Sequence, residues 1–259
     1  MVLIAPRLEK VGDRPRPLYD VSTHYCPGCS HGIIQRMLAE VIVELDIQDK
    51  AIGVASVGCS APIYSYLDID FVAAPHGRAP AVATGLIRAL PDRVVFSYQG
   101  EGDLISIGAG EIIHAANRGE RFVVILANNA AFGMTGGQLS PTTLIGMKTT
   151  TTPEGRRAVN DGFPIKIAEL ISQFPGASYV ARVAVNTPGN VKKAKLALIR
   201  AFQNQMYNRG LSLVEFLGVC PTDWGISPPD ALVWLKNHMI PYFPLGEFKT
   251  PEGGGPKKL

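Results

Sequence analysis

Charge is scarce in this 259-residue chain: 18% of residues are Asp, Glu, Lys or Arg, and the balance is only +3 at neutral pH. So weak a positive balance, with no stripe of Lys and Arg interleaved with aromatics, argues against nucleic acid as a partner. The basic residues are scattered, apart from Lys257 and Lys258. No apolar run approaches the ~20 residues that cross a bilayer, so no membrane role is expected. The opening MVLIAPRLEKVGDRPRP breaks a very short apolar stretch with proline and charge, and carries no secretory signal. A cytoplasmic protein is therefore expected. Cysteine is scarce too, four in all, and in a reducing compartment thiols are metal or redox candidates before they are disulfides.

Apolar residues are plentiful at 46%, and the length suits one large domain or two small ones with a sizeable core. Residues 1–20, rich in Pro and Arg, read as an extended arm, and 246–259 as a loose tail. That leaves 21–245 as the folded body. Within it, short apolar segments at 51–57, 94–98, 122–127, 179–185 and 212–217 read as buried strands. Between the strands lie helical patterns. Ile34, Met37, Leu38, Val41, Ile42 and Leu45 recur at helical spacing. Thr187-Pro188, a cap followed by proline at the first helical position, starts another helix running towards Gly210. This alternation predicts an α/β fold, a mostly parallel sheet with helices on both faces.

The most informative stretch is VVFSYQGEGDLISIGAGEIIHAANRGERFVVILANNAAFGMTGGQLSPTT, residues 94–143. A strand meets the turn Gly100-Glu101-Gly102-Asp103, a helix follows and stops at Gly119, and a second strand ends in Asn128-Asn129. Right-handed crossover brings both strand ends to one edge of the sheet, where open α/β sheets bind ligands. A carboxylate from Glu101, the Asn129 amide oxygen and the Ala131 main-chain carbonyl make an all-oxygen half-shell for a hard cation such as Mg²⁺. Gly100 and Gly102 allow close approach of backbone, and the helix N-terminus beyond them favours an anion. A diphosphate bridged by Mg²⁺ is the natural occupant, with the glycine-dense loop of Gly133, Met134 and Thr135 along it.

The cysteines fall as Cys26-Pro27-Gly28-Cys29, then Cys59 and Cys220, isolated and 30 and 161 residues further on. Zinc commonly uses two close pairs. A thioredoxin-type pair explains Cys26 and Cys29 but not the other two. One 4Fe–4S cluster takes four thiolates, the whole supply, and each cysteine lies in loop-forming sequence. Spacing alone leaves the iron–sulfur, zinc and redox-thiol readings open.

The Gly-acid-Gly turn followed about twenty-five residues later by Asn-Asn resembles the signature of thiamine-diphosphate enzymes. The flanks IHAANRGE and FGMTGGQLSPTT, with CPGCSHG, VGCSAP, APHGRA and VCPTDW, resemble more narrowly the β subunits of 2-oxoacid:ferredoxin oxidoreductases, over roughly residues 18–239. The resemblance implies a thiamine-diphosphate-binding fold with Mg²⁺ on Glu101, Asn129 and Ala131, and one 4Fe–4S cluster on Cys26, Cys29, Cys59 and Cys220. It also implies His76 and Arg78 at the substrate, and Gly58, Ser60, His76, Gly100, Gly102, Asp103, Asn128, Gly133, Met134 and Thr135 around the cofactor.

One residue departs from the pattern. The family has Asp where Glu101 stands, which leaves Asp103 a rival source of the carboxylate.

The activity implied is CoA-dependent oxidative decarboxylation of a 2-oxoacid to acyl-CoA and CO₂, with electrons passing through the cluster to ferredoxin. Overall similarity points to 2-oxoisovalerate or 2-oxoglutarate members. The implied partners are an α subunit carrying the pyrimidine-binding domain and activating glutamate, and γ and ferredoxin-like δ subunits.

Other classes fit less of the sequence. A non-oxidative thiamine decarboxylase or synthase subunit needs no four cysteines. A nicotinamide dehydrogenase needs Gly-x-Gly-x-x-Gly, and Ile105 stands at the third glycine. A zinc-stapled assembly protein uses the cysteines but not the acid–asparagine unit. His31 reads as a helix N-terminal residue near the cluster, His114 as structural, and Trp224 as a cofactor shield or core residue.

Overall fold

The computed structural model describes residues 13–251. Its main sheet has seven strands: β1 (Ala51–Ala55), β2 (Asp70–Ala73), β3 (Val94–Gly100), β4 (Val123–Asn128), β7 (Ala177–Ala184), β8 (Leu211–Leu217) and β9 (Gly246–Lys249). They lie in the order β2-β1-β3-β4-β8-β7-β9, parallel throughout except that β9 runs antiparallel to β7. Two further strands, β5 (Ala131–Phe132) and β6 (Gln138–Leu139), form a separate hairpin above β4.

Alternate residues of each strand face opposite layers. Phe96, Tyr98, Val123, Ile125 and Phe216 pack with α1 (His31–Glu44) and α6 (Pro188–Met206). Val95, Val124, Leu126 and Leu213 pack with α2 (Ala79–Ala89), α3 (Ala109–Arg118) and α5 (Ile167–Ser172). Both faces are covered, so the strands must be apolar continuously, as the sequence has them. Burying one such Phe stabilises by roughly 1.5–3 kcal/mol. A smaller cluster of Leu217, Val219, Leu235, Met239 and Phe243 lies beyond the end of β8, with α7 (Pro221–Trp224) and α8 (Pro228–Trp234) beside it.

The local signals act as expected where they are explicit. The Thr187 hydroxyl accepts from the Asn190 N–H and caps α6. Gly119, at φ 67°, closes α3 in the left-handed region.

Three expectations need correcting. Gly246–Lys249 is strand β9 rather than tail, and the residues from 252 onward lie outside those described. Strand β2 was not anticipated: its residues DFVA sit on the sheet edge, largely exposed, without the apolar run that marks a central strand. The helix after β3 also starts earlier, as a wide π-type turn over Gly102–Ile107 that breaks at Gly108 before α3. The break falls where another loop approaches closely. A Cβ on Gly108 would lie 2.5 Å from the Gly77 carbonyl, so a loop carrying His76 passes directly against it.

Of the N-terminal arm, the described part lies along 66–68: Leu18 bridges Leu67, and the Tyr19 N–H donates to the Tyr66 carbonyl at 2.9 Å. Among the described residues, no helix is long and apolar enough to cross a membrane.

Candidate active site

The carboxyl ends of β1, β3 and β4 meet at a cavity of about 130 Å³. Gly58, Ser60, His76, Gly100, Glu101, Gly102, Asp103, Asn129, Ala131, Gly133, Met134 and Thr135 all line it, as do Cys59 and His31. The crossover argument holds in detail, since Gly100 is in register with Ala127 and the acid turn abuts the end of β4. Two expected members, Asn128 and Arg78, lie elsewhere.

Glu101 is buried at 2% exposure. Its carboxylate accepts the Ala131 N–H at 2.8 Å and the Asn129 N–H at 3.4 Å. Burial pushes its pKa up to about 7, although these main-chain donors and the Ser140 hydroxyl pull the other way. The Asn129 amide oxygen accepts the same Ala131 N–H at 3.1 Å. Between them Ala130 sits at φ 59°, a left-handed conformation uncommon outside glycine and typical of constrained site loops. The acid, the amide and the 131 backbone are thus brought together, and their all-oxygen chemistry suits Mg²⁺.

Asp103 is committed otherwise. One oxygen accepts from Ser56 Oγ at 2.9 Å, His76 Nδ1 at 2.5 Å and the Gly77 N–H at 2.6 Å, and the other from Gln99 Nε2 at 2.5 Å. With His76 Nδ1 turned to this carboxylate, Nε2 is the ring nitrogen left to act in the cavity. Ser60 contributes a buried hydroxyl with no hydrogen-bond partner, an orphan that a bound group would satisfy.

Asn128 is a structural residue. Its amide donates to Glu215 at 2.7 Å, and its oxygen accepts from Thr142 Oγ1 at 2.8 Å and the Ala130 N–H at 3.1 Å. Glu215 in turn pairs at 2.8 Å with Arg182, both wholly buried. Both lone pairs of the amide oxygen and one of its two N–H groups are thus engaged within the protein, and Asn128 does not line the cavity. Arg78 caps α2 and pairs with Glu111 of α3. Gly102 also has a reason other than close approach to a ligand: a Cβ there would lie 2.2 Å from the Phe132 ring.

All four cysteines are free. Cys29 lies near enough to Cys26, Cys59 and Cys220 for their charges to interact. Burial pushes the Cys59 thiol up to about 11 and raises Cys29 and Cys220 as well. Reactive redox cysteines sit in electropositive surroundings with lowered pKa, so Cys29 is a poor thioredoxin-type thiol. A metal centre supplies the missing positive charge on binding. Among the described residues no three His, Cys, Asp or Glu are grouped as they would be around one metal ion.

The two halves of the site share a wall. A Cβ on Gly133 would lie 3.6 Å from Cys59 Sγ, 3.5 Å from the Asn129 amide nitrogen and 3.4 Å from an Asp223 oxygen. The Trp224 indole donates to the Asn129 carbonyl at 3.0 Å, four residues after Cys220. Trp224 is therefore a tie between the segment of the last cysteine and Asn129, which its sequence context did not indicate. His31 is buried below, its ring stacked 5.1 Å from Tyr25 and hydrogen-bonded to Tyr98, and burial lowers its pKa to about 4.

Comparison with known proteins agrees with this fold. Residues 52–216 match the family model "Thiamine pyrophosphate enzyme, C-terminal TPP binding domain". The chain is 41% identical over 251 residues to a ketoisovalerate oxidoreductase subunit of Methanothermobacter thermautotrophicus, covering 93% of this chain and 53% of that one. It is 39% identical to a 2-oxoglutarate synthase subunit of Archaeoglobus fulgidus, covering 83% and 76%. A 2-oxoglutarate:ferredoxin oxidoreductase from Magnetococcus marinus, solved with 2-oxoglutarate, coenzyme A and succinyl-CoA bound, superposes with a TM-score of 0.75 at 30% identity, covering 88% of this chain and 74% of that one. The chain spans about half the length of the ketoisovalerate oxidoreductase subunits that it matches.

Proposed function

The chain belongs to the thiamine-diphosphate-binding subunits of the 2-oxoacid:ferredoxin oxidoreductase family, and on that premise we propose that its cavity holds thiamine diphosphate through Mg²⁺, beside one 4Fe–4S cluster on Cys26, Cys29, Cys59 and Cys220. Glu101, Asn129 and the Ala131 carbonyl are the Mg²⁺ ligands. Glu101 is favoured over Asp103 for that role because the Asp103 oxygens already accept four protein donors. The observation that carries the reading is the shared wall at Gly133, where a cluster thiol and a metal amide each come within 3.6 Å of one point.

Thiamine diphosphate, when bound, supplies the electron sink for decarboxylating a 2-oxoacid. The protein's part is to hold and to insulate. Gly58, Ser60 and the Gly133–Thr135 loop enclose the cofactor, and the π-type turn from Gly102 aims N–H groups at its diphosphate. His76, fixed by Asp103, offers Nε2 to a substrate oxygen or proton. Arg78, held by Glu111, is left out of the substrate site.

The full reaction proposed is CoA-dependent oxidation of a 2-oxoacid of the 2-oxoisovalerate or 2-oxoglutarate kind, in the cytoplasm, with electrons leaving through the cluster to ferredoxin. A partner α subunit supplies the pyrimidine-binding domain and its glutamate, with γ and ferredoxin-like δ subunits completing the assembly. Anaerobically purified protein is expected to show broad visible absorbance that bleaches with dithionite, and iron in place of zinc. A colourless, zinc-loaded protein would overturn the reading.

A further inference from the structure

Arg156 is a buried cation that the proposed reaction does not use. It is 4% exposed, yet none of its hydrogen bonds reaches a carboxylate. Its guanidinium instead gathers main-chain carbonyls. Nη1 donates to Thr143 at 2.7 Å and to Ser140 and Pro141 at 3.3 Å. Nη2 donates to Asp161 and Phe163 at 3.1 Å, and Nε to Gly162 at 3.0 Å. Removing a full charge from water costs several kcal/mol, so six carbonyl dipoles drawn onto one side chain mark a geometry that is tightly held.

The turn so held meets the half-shell or the loop that carries it at three residues. The Thr143 hydroxyl donates to the Ala130 carbonyl at 2.7 Å. The Thr142 hydroxyl donates to Asn128 at 2.8 Å. The Ser140 side chain lies close enough to the Glu101 carboxylate to favour its ionised form. Ala130 is the left-handed residue between Asn129 and Ala131, so its carbonyl orientation sets where the other two point.

We propose that Arg156 is a positioning residue for the Mg²⁺ half-shell, acting through the 140–143 turn on Glu101 and the Asn129–Ala131 loop. The inference rests on the reading that these residues hold the Mg²⁺–diphosphate. Arginine is required because its planar fork offers five donors and keeps its charge; lysine offers three from a point, and glutamine two without charge.

The test measures the Mg²⁺ concentration that half-saturates thiamine diphosphate binding to the assembled oxidoreductase, followed by Trp fluorescence. Cluster absorbance is read on the same samples. Arg156→Gln is expected to raise that concentration tenfold or more with cluster absorbance unchanged, and Arg156→Lys to recover part of it. Thr143→Val should shift it in the same direction, while Thr143→Ser, which keeps the hydroxyl, should stay near wild type. If Arg156→Gln does not fold, the Thr143 pair carries the test. A wild-type Mg²⁺ requirement in Thr143→Val, or in a folded Arg156→Gln, would overturn the inference alone. A wild-type enzyme that binds thiamine diphosphate without any divalent cation would overturn the metal reading, and this inference with it.

Discussion

Glu101 carries one more methylene than the aspartate of the family pattern, and its neighbours absorb the difference by folding its carboxylate back onto the 129 and 131 N–H groups. Its titration is consequently diagnostic. In the unfolded chain the carboxyl ionises near 4.5, and in the metal-free fold burial moves this to about 7. Between those values the native state holds a proton that the unfolded state has lost. Stability of the metal-free protein therefore falls as pH rises from about 4.5 to about 7, by roughly 3 kcal/mol if the whole shift is expressed. Urea midpoints at pH 5 and pH 8 should show this fall, and Glu101→Gln should flatten it. Mg²⁺ takes only the ionised form, so its affinity should weaken about tenfold per unit below pH ~7.

The neighbouring asparagines separate in the same terms. Asn128→Ala leaves Glu215 short of a donor, and should cost about 2 kcal/mol in denaturation with diphosphate affinity retained only as far as the loop stays folded. Asn129→Ala should change stability little and abolish Mg²⁺-dependent binding. The sequence pattern points to Asn129 of the doublet for Mg²⁺ and sets Asn128 beside the cofactor; what it does not show is which of the two the fold engages elsewhere. That choice is made by Glu215, 87 residues away in sequence, which claims the first of the pair.

At the level of elements, the central strands were readable because both their faces are buried, which forces continuous apolar runs. Edge strands carry no such signature, and β2 and β9 escaped for that reason. The turn after β3 was readable as a ligand-binding turn, though its glycines carry a packing demand that no local pattern reveals. Gly102 faces the Phe132 ring from the β5–β6 hairpin, so the hairpin and the acid turn are set against each other. Gly102→Ala should therefore destabilise by about 1–3 kcal/mol, because the added methyl cannot be accommodated beside the ring. Pairing it with Phe132→Leu, which removes the ring, should restore part of the loss. Equal midpoints for the single and double variants would separate the glycine's role from this contact.

Over the whole molecule, the surface around residues 159–165 is more apolar than solvent contact favours. Val159 is 89% exposed and Phe163 72%, with Ile165 close by in sequence and also exposed. The backbone that bears Phe163 is not loose, since Arg156 holds the carbonyls of 161–163 on the same guanidinium that holds the 140–143 turn. A rigid, exposed apolar projection tied to the cofactor loop suits burial against another subunit better than solvent exposure. The α subunit proposed above to complete the thiamine site would be the natural occupant. The double variant Val159→Ser, Phe163→Ser is expected to weaken association with that subunit by tenfold or more, measured by sedimentation of the mixed chains. Its cluster absorbance should match wild type, because both side chains lie outside the cavity that Cys59 lines. Activity should be recoverable at high subunit concentration, since the chemistry would be intact and only assembly impaired. An unchanged dissociation constant would place the interface on another face of the molecule, and would leave two large exposed hydrophobic side chains without a covering partner.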